Sequence, residues 1–502
     1  MEYLPFVLAV SFVWGFIHLL ISGLRRRNSS SPGLPPGPRP FPIIGNILQL
    51  GKLPHEAAAK LSKTYGPLMT LKLGSRTTIV ISSPDLAKEA LQKHDHVFSG
   101  RTVPDSAQVL DHHKFSIAWQ PASAYWRNLR KVSATQIFVP KRIDSTQAIR
   151  RKKVQELVDY IEENCGNGQA LDIGRAAFTT VLNSISNTFF SADLADFCSN
   201  ASQEFQSLLL RIMEEAGRPN IADYFPALSL LDPQGARRRM LVYSTKWFGI
   251  LDDIITKRVQ LRASSRDCMA SSDVLDSLLN HVEEDNSELS YDDIKHLLVD
   301  LFSAGIDTTA STVEWAMAEL LYNPKKMAKA RKELEEVLGN DGVVQESDIS
   351  KLPYLQAIVK ENFRLHPAAP FLVPHKAEAD VEMCGFTVPK NAQILVNVWA
   401  MGRDSSIWPN PTLFSPERFL EKDGIDFKGR DFELIPFGAG RRMCPGLPLA
   451  NRMVHLMLAS LVHHFNWKLA NEMKPENINM REIFGLSLHR AEPLWAIPIK
   501  LV

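Results

Sequence analysis

Cysteine is scarce in this sequence, and its few copies form no pattern. The chain has five cysteines in 502 residues, and none belongs to a Cys-x-x-Cys pair. This spacing indicates neither a disulfide framework nor a zinc cluster, and scattered thiols are typical of a protein body facing a reducing compartment such as the cytosol. The five are Cys165, Cys198, Cys268, Cys384 and Cys444.

An excess of charge of either sign is also missing. The formal net charge is +1, from 57 basic and 56 acidic residues. A nucleic-acid partner would require a strongly basic surface, so we expect no such partner. The sequence has no internal repeat and no low-complexity tract. Length alone suggests about three domains, but the motifs described below all serve one site, so we predict one catalytic domain over residues 46–502.

Only one apolar run is long enough to cross a bilayer. It extends from Leu4 to Leu24, about 21 mostly apolar residues, and Arg25 to Arg27 follow it directly. The positive-inside rule places those arginines in the cytosol. A cleaved signal peptide would have a shorter apolar core preceded by its positive charges. We therefore predict that residues 1–27 are an uncleaved single-pass anchor.

A proline-rich stretch follows the predicted anchor. Pro32 to Pro42 reads Pro-Gly-Leu-Pro-Pro-Gly-Pro-Arg-Pro-Phe-Pro, which favours neither a helix nor a central strand. Such a stretch forms a stiff extended connector, although a ligand for an SH3-type domain has the same composition. We predict that residues 28–45 are a hinge between anchor and catalytic domain.

One cysteine lies in a loop built to present it. Phe437 to Gly446 reads Phe-Gly-Ala-Gly-Arg-Arg-Met-Cys-Pro-Gly, and apolar residues at helical spacing follow. The glycines permit backbone geometry that side chains would block, and the start of a helix favours a thiolate at Cys444. Such a thiolate is a nucleophile, a redox thiol or a metal ligand. No other cysteine or histidine lies within four residues, so the metal alternative narrows to a single thiolate on haem iron.

The longest predicted helix runs from Tyr291 to Tyr322. Ser290 can cap its start, acidic residues occupy the first turn, and Asn323-Pro324 ends it. Its centre contains Ala304-Gly305-Ile306-Asp307-Thr308-Thr309, which lowers helix propensity. A hydroxyl there can bond to the carbonyl four residues earlier and open a groove. The alternative is a second helix that begins at Asp307.

The cysteine loop resembles the haem-binding signature of the cytochrome P450 family. The matching pattern is Phe437-x-x-Gly440-x-Arg442-x-Cys444-x-Gly446. The resemblance implies haem b as cofactor, with Cys444 as the ligand of its iron and Asp307 and Thr308 passing protons to the oxygen substrate. The other residues that it implies around the haem are Trp126, Arg130, Ala304, His375, Pro436, Phe437, Gly438, Arg442 and Gly446.

Within that group, Trp126 and Arg130 lie four residues apart on one helix face and are expected at a haem propionate, although a solvated basic patch would show the same spacing. His375 is expected near the second propionate. The resemblance also implies a charge network in which Glu361, Arg364 and Arg418 stiffen the thiolate side of the haem.

The same resemblance implies a mainly helical haem-thiolate fold with a small β-region. Alternation around Gly74-Ser75 predicts a hairpin over Leu68 to Ser82, and further strands are predicted between Val381 and Val398. Residues 101–124 are predicted to be an irregular loop that closes one side of a substrate pocket. The pocket candidates are apolar: Phe115, Ile117, Leu301, Ala368, Ala369, Phe371, Leu372, Phe484 and Leu486.

Within the family, three stretches of the chain are similar to plant microsomal enzymes that hydroxylate terpenoid alcohols, geraniol 8-hydroxylase among them. They are residues 295–315, 352–365 and 434–449. This similarity implies a monomeric catalytic body on the endoplasmic reticulum membrane that hydroxylates a small apolar substrate with O2. No NADPH-binding motif is present, so electrons are expected from NADPH–cytochrome P450 reductase, which carries FAD and FMN.

Several alternatives remain at this point. The substrate can instead be a sesquiterpene, a diterpene or a phenolic compound. A haem-thiolate isomerase or dehydratase acting on hydroperoxides needs neither reductase nor proton relay, and the Asp307-Thr308 pair argues against it. A haem carrier or sensor is a non-catalytic alternative. Turnover with NADPH and reductase separates the monooxygenase from the isomerase or dehydratase and from the carrier or sensor.

Overall fold

The structure is a computed structural model that describes residues 33–165, 168–197, 200–264, 273–284, 289–339, 342–421 and 424–501. The predicted anchor, residues 1–27, lies outside the described residues, as does the beginning of the predicted hinge. Within these described ranges, no helix is both long enough and apolar enough to cross a membrane.

The described residues form mostly helix, as the sequence predicts. The α-helices, numbered α1 to α17 in chain order, are Ile47–Leu50, Pro54–Tyr65, Pro84–Lys88, Ala124–Val132, Pro140–Ser145, Gln147–Cys165, Ile173–Phe190, Asn200–Gly217, Ile221–Tyr224, Ala236–Ser264, Val274–Glu283, Tyr291–Tyr322, Pro324–Leu338, Pro353–Leu365, Val398–Met401, Arg418–Glu421 and Leu447–His464.

Twelve strands in the described part of the chain form four small sheets. Strands β1 to β12 are Leu68–Leu73, Arg76–Ile81, Gly100–Arg101, Leu171–Asp172, His375–Lys376, Val381–Met383, Phe386–Val388, Gln393–Val396, Phe465–Leu469, Glu482–Phe484, Leu488–Arg490 and Trp495–Lys500. The sheet orders are β1-β2-β8-β5-β3, β4-β12-β9, β6-β7 and β10-β11.

Helix α12 is the central helix of the fold and confirms the predicted element from Tyr291 to Tyr322. Ser290 and Asp293 form a capping box at its start, because each side chain accepts a hydrogen bond from the backbone N–H of the other. The helix ends at Asn323, before a proline that begins the next helix. Most of its residues are buried, and it packs against α7 and α17. A helix covered on nearly all sides is a rigid support for groups placed along it.

The predicted hairpin is confirmed as β1 and β2. Their antiparallel register pairs Leu68 with Ile81 and Leu73 with Arg76, so Gly74 and Ser75 form the two-residue turn. Strand β2 also pairs in parallel with β8, which in turn pairs with β5. The strands predicted between Val381 and Val398 are confirmed as β6, β7 and β8.

The described part of the proline-rich segment has no helix or strand over residues 33–40. It lies along β1, where the Thr70 N–H donates to the Pro36 carbonyl over 2.8 Å. A Cβ atom at Gly37 would lie 1.9 Å from the Thr70 carbonyl oxygen, so only glycine permits this close approach. The segment therefore packs onto the catalytic domain.

Helix α14 brings Glu361 and Arg364 together in the protein interior. Arg364 Nε lies 2.7 Å from Glu361 Oε2, and both side chains are fully buried. Arg418 Nε lies 3.1 Å from Glu361 Oε1, so one carboxylate lies between two guanidinium groups. Arg364 also donates to the carbonyl groups of Pro411 and Leu413. The network ties α14 to the segment that leads towards the cysteine loop.

Removing one cation from this network should be strongly destabilising. In Arg364→Ala, Glu361 remains buried with one guanidinium partner fewer, and breaking a buried pair costs about 3–5 kcal/mol. We expect a lower midpoint of thermal unfolding and a lower yield of folded protein. Lys332→Ala removes an exposed pair with Glu336 and is the control, with an expected cost below about 1 kcal/mol. Equal midpoints for the two variants would contradict this assignment.

Candidate functional site

The loop that carries Cys444 is held in a shape that requires glycine. Gly438 and Gly440 have φ angles of +71° and +66°, which favour glycine. A Cβ atom at Gly440 would lie 2.0 Å from the Leu91 carbonyl oxygen. The Cys444 N–H donates to the Phe437 carbonyl over 2.9 Å and closes the loop. The sulfur is therefore positioned by backbone contacts.

Cys444 lies just before helix α17, as the sequence predicts. Burial raises the pKa of its thiol, and the backbone N–H groups of Gly446 and Leu447 and the charge of Arg130 act in the opposite direction. The side chain nevertheless has exposed surface, so it borders an opening within the fold. The N–H donors favour the thiolate form of Cys444, and the opening leaves room for a ligand. The side chain is therefore suited to bind a metal cation as a thiolate.

A group of four basic side chains, called the cation cluster, lies near the cysteine loop. The charge of Glu378 acts on one of them, Arg442, from beyond salt-bridge distance. Burial is the main cause that lowers the pKa of Arg101, Arg130, Arg442 and His375, bringing that of Arg442 to about 10. The charges of Arg130 and Arg442 lower the pKa of Arg101 further, and those of Arg101 and Arg442 do the same for His375. Among the described residues, none of the four lies within 4.0 Å of a carboxylate.

Arg101 shows most clearly that this cluster fits an anionic ligand. Its Nη1 atom donates to the Val373 carbonyl over 2.5 Å, but its buried Nε atom has no partner among the described residues. Burying several like charges together is costly unless an anion compensates them. A haem presents two propionates, and a cysteine ligand beside such a cluster matches its donor requirements. The residues present therefore fit a haem.

Sequence reasoning missed Arg101, which it placed at the start of the irregular loop over residues 101–124. The structure corrects this prediction, because Arg101 belongs to a two-residue strand. It lies in β3, whose partner β5 contains His375, and the register pairs the two residues directly. His375 Nδ1 shares a hydrogen bond with the Phe98 carbonyl over 2.7 Å. Because a carbonyl only accepts, Nδ1 carries the proton, which leaves Nε2 as the other interacting atom. The pairing of two short strands brings Arg101 and His375 together.

Trp126 and Arg130 lie on one face of α4, as predicted. The Trp126 indole N–H donates to the Ile117 carbonyl over 2.9 Å, so that group is already engaged within the protein. The Arg442 guanidinium lies 4.2 Å from the centroid of the Trp126 ring, a cation–π distance. Arg130 Nη2 donates to the Met443 carbonyl beside the cysteine over 3.0 Å. The pair thus supports the cysteine loop and Arg442.

Helix α12 presents two of the predicted residues on an open face. Thr308 Oγ1 donates to the Ala304 carbonyl over 2.6 Å, the back-bonding that the sequence predicts. Ala304 is exposed and Thr308 half-buried, although α12 is otherwise largely buried. The helix continues without interruption through Asp307, so the alternative of a second helix starting there is wrong.

The pocket candidates fall into two groups. One group surrounds the hairpin β10–β11: Phe371 and Phe484 are in edge-to-face contact at 6.2 Å, and the Ala368 carbonyl accepts from the Leu488 N–H over 2.8 Å. Leu372 lies beside the cysteine loop, since a Cβ atom at Gly438 would be 3.8 Å from its Cδ1. Leu486 and Ala369 are at least partly exposed.

The other group joins the predicted loop to α12. The structure gives this loop a 3₁₀ segment, Asp105–Lys114, which is kinked at Val109 to Asp111. Phe115 stacks on His296 at 4.5 Å, and Ile117 donates its N–H to Asp300 Oδ2 over 2.7 Å. Leu301, the next residue of α12, is buried.

Sequence reasoning missed the polar clamp that holds this loop. The Asp300 carboxylate also accepts from Ser116 Oγ over 2.8 Å and lies 3.1 Å from His112 Nε2. Burial and the neighbouring His112 lower the pKa of His296 to about 4, so His296 is neutral at pH 7. The sequence signal that could have revealed this contact is Asp300 itself, a charged residue within an apolar stretch of α12.

Comparison with known proteins identifies the family of this chain. The family model for cytochrome P450 matches residues 35–496. The chain is 54% identical to cytochrome P450 76T24 of Catharanthus roseus, over 98% of this chain and 97% of that protein. It is 53% identical to cytochrome P450 monooxygenase 76AD131 of Lophophora williamsii, over 99% of each.

A third relative is named for its reaction. The chain is 48% identical to geraniol 8-hydroxylase of Catharanthus roseus, over the full length of both proteins. The family match covers the cysteine loop, the cation cluster and the open face of α12. This chain belongs to the cytochrome P450 family and is a monooxygenase, an oxidoreductase with the haem-thiolate cofactor of that family.

Proposed function

We propose that this monooxygenase hydroxylates a small apolar terpenoid, a monoterpene alcohol similar to geraniol, with O2 and electrons from NADPH. The observation that carries the haem site is the convergence of Arg101, Arg130, Arg442 and His375 beside the Cys444 loop. The similarity to geraniol 8-hydroxylases from two plants supports the substrate class.

In this proposal Cys444 ligates the iron, and the cation cluster holds the propionates. When bound, the haem supplies the oxygen chemistry, with the thiolate donating electron density to the iron. Phe437, Gly438, Gly446 and Pro436 shape the loop around the sulfur. The buried network of Glu361, Arg364 and Arg418 stiffens the same side. These residues therefore bind and orient the group.

In this proposal Asp307 and Thr308, on α12, transfer protons to the oxygen substrate. Thr308 Oγ1 lies on the open face of α12 beside Ala304, and its proton is donated to the Ala304 carbonyl. Passing that proton to the oxygen substrate would require the hydroxyl to rotate away from the carbonyl. Asp307 replaces that proton. The half-buried threonine and the buried aspartate are neighbours in one uninterrupted helix, so their relative position is constant.

Electrons are proposed to come from NADPH–cytochrome P450 reductase, whose FAD and FMN carry them. The chain has no nicotinamide-binding motif of its own. We also propose that residues 1–27 anchor the enzyme to the endoplasmic reticulum membrane with the catalytic domain, residues 46–502, in the cytosol as a monomer. The apolar run and the three arginines that follow it support this arrangement.

The substrate proposal rests on the apolar character of the candidate pocket. The candidates are Phe115, Ile117, Leu301, Ala368, Ala369, Phe371, Leu372, Phe484 and Leu486. A charged substrate would bury its charge unpaired there, which is costly. Asp300 does not change this conclusion, because loop donors occupy both of its oxygens. The small Ala368 and Ala369 beside Phe371 favour a short acyclic chain entering end-on.

The discriminating experiment is product analysis of the enzyme reconstituted with reductase and NADPH. The panel contains monoterpenols, sesquiterpenes, diterpenes and phenolics. Hydroxylated geraniol supports the proposal, and a product from a larger terpenoid or a phenolic alone supports one of the alternatives. An isomerase would act on hydroperoxides without reductase, and a sensor would give no product.

Cys444→Ser should abolish the red-shifted Soret band of the reduced, CO-bound haem. A serine hydroxyl is not a thiolate, and the band depends on thiolate ligation. Absorption spectra of the purified variants give the result. Cys384→Ser, which changes an exposed thiol, is the matched control and should keep the band. A full band in Cys444→Ser would overturn the assignment of the iron ligand.

Thr308→Ala should keep haem and substrate binding but lose coupling. Without the hydroxyl, NADPH is consumed and peroxide is released in place of product, with product per NADPH lowered roughly tenfold or more. The measurement compares NADPH consumed, product and peroxide. Thr308→Ser retains a hydroxyl and should recover most of the coupling. An unchanged ratio in Thr308→Ala would remove this residue from the relay.

Ala369→Phe should depress geraniol turnover before it disturbs the haem spectrum. Filling a packed pocket costs roughly 1–3 kcal/mol, which predicts at least about a fivefold loss in kcat/KM. Ala263→Phe, at an exposed position near the end of α10, is the control. The size argument fails if geraniol neither shifts the Soret band nor gives product while a larger terpenoid does both.

A further inference from the structure

A histidine outside α12 contacts the buried aspartate of the proposed relay. His489 Nε2 lies 3.1 Å from Asp307 Oδ2. Asp307 is only 3% exposed, and its Oδ2 has no well-aligned hydrogen bond among the described residues. The imidazole is therefore the group that compensates this carboxylate oxygen. No sequence motif used above includes His489.

The strand that carries His489 is attached to its surroundings on both sides. The Leu488 carbonyl accepts hydrogen bonds from Ser311 Oγ over 3.1 Å and Trp315 Nε1 over 3.2 Å, both on α12. The Leu488 N–H donates to the Ala368 carbonyl over 2.8 Å. Because the neighbouring residue is held by α12 itself, the distance between His489 and Asp307 is determined by the fold.

His489 also reaches the accessible side of the hairpin. In the antiparallel register of β10 and β11 its partner is Ile483, and directly paired residues point to the same face. Ile483 is 51% exposed, and the His489 side chain is 39% exposed. The imidazole thus extends from a buried carboxylate to a face that water can reach.

The charges around His489 favour its protonated form. Burial lowers the pKa of His489, but the close contact with Asp307, the charge of Asp307 and the charge of Glu314 outweigh burial and raise that pKa above its ordinary value. On its own strand, Arg490 lies 3.9 Å from Glu314 and over the Trp315 ring, so its charge is directed to α12. On β10, the facing residue Ile483 is uncharged.

We propose that His489 is a positioning residue that supplies Asp307 with protons. This inference rests on the proposed role of Asp307 and Thr308. The His489 Nε2–H bond breaks and an Asp307 Oδ2–H bond forms, which leaves a neutral imidazole and a neutral carboxyl group. His489 then regains a proton from water at the accessible face. The step moves protons only and requires no oxidant or reductant.

The first experiment measures coupling in the full-length enzyme with reductase. His489→Gln keeps a hydrogen-bond donor but has no titrating proton, so product per NADPH should fall roughly fivefold while peroxide rises. Haem content, the CO-bound Soret band and the substrate dissociation constant should stay unchanged. His281→Gln removes another histidine–carboxylate contact, 2.9 Å from Glu284, and should match the wild type.

The pH dependence separates proton supply from a structural role. The raised pKa keeps His489 protonated to a higher pH than an ordinary histidine. Coupling in the wild type should therefore hold at low pH and fall as pH rises through that pKa, because the neutral imidazole has no proton to give. In His489→Gln the fall should disappear. Parallel profiles in the two proteins would overturn the proposal.

A chemical measurement tests the contact without turnover. Diethyl pyrocarbonate modifies neutral imidazole, so peptide mapping by mass spectrometry across pH reports the titration of each histidine. Asp307→Asn should shift the midpoint for His489 to lower pH and leave that of His281 unchanged. An unshifted His489 midpoint would overturn the proposal, and this arm decides the question even if His489→Gln fails to fold.

Different results would contradict the relay through Thr308 and Asp307 and the supply of protons by His489. If Thr308→Ala uncouples the enzyme and His489→Gln does not, His489 is not the proton source and the proposed relay stands. If neither variant uncouples it, the relay through Thr308 and Asp307 is wrong as well. Loss of coupling in both, with the shifted His489 titration, supports the complete path.

Discussion

The cluster of positive charge beside Cys444 is the constraint on which the site depends. Arg101, Arg130 and Arg442 are brought together with His375, and no carboxylate lies within 4.0 Å of them among the described residues. Charges buried together in this way are unfavourable unless an anionic group joins them. In the proposed site, the propionates and iron of the cofactor would supply the charges that both the cluster and the thiol require, which would link cofactor binding to the stability of this region.

The network on α14 differs from the cation cluster because its buried positive charges have a carboxylate partner. Glu361 lies between Arg364 and Arg418, and backbone carbonyl groups accept the remaining guanidinium donors, so the buried charges are compensated within the protein. Such a network can be complete before any cofactor binds. The network of Glu361, Arg364 and Arg418 is therefore complete without a ligand, whereas the cation cluster beside Cys444 requires one.

Helix α12 connects these parts because polar side chains along it are each held by a different element. Asp300 binds the loop that includes Ile117, Asp307 contacts β11, and Glu319 lies 2.7 Å from His366, the residue directly after α14. The loop over residues 101–124, the proposed relay and the end of α14 thus share one rigid support. Burial of most of the helix makes each polar contact more valuable, because an unsatisfied group there is costly.

Sequence alone determined the features that depend on neighbours along the chain: the capped helix from Tyr291 to Tyr322, the Gly74-Ser75 hairpin, the cysteine loop and the back-bonded Thr308. Their hydrogen bonds join residues a few positions apart, so local patterns record them. Tertiary structure alone decided that Arg101 lies beside Arg130 and Arg442, that the Trp126 indole binds Ile117, and that His489 reaches Asp307. These contacts depend on strand register and helix packing between distant segments, and a single arginine or histidine in a sequence carries no mark of the partner that folding brings to it.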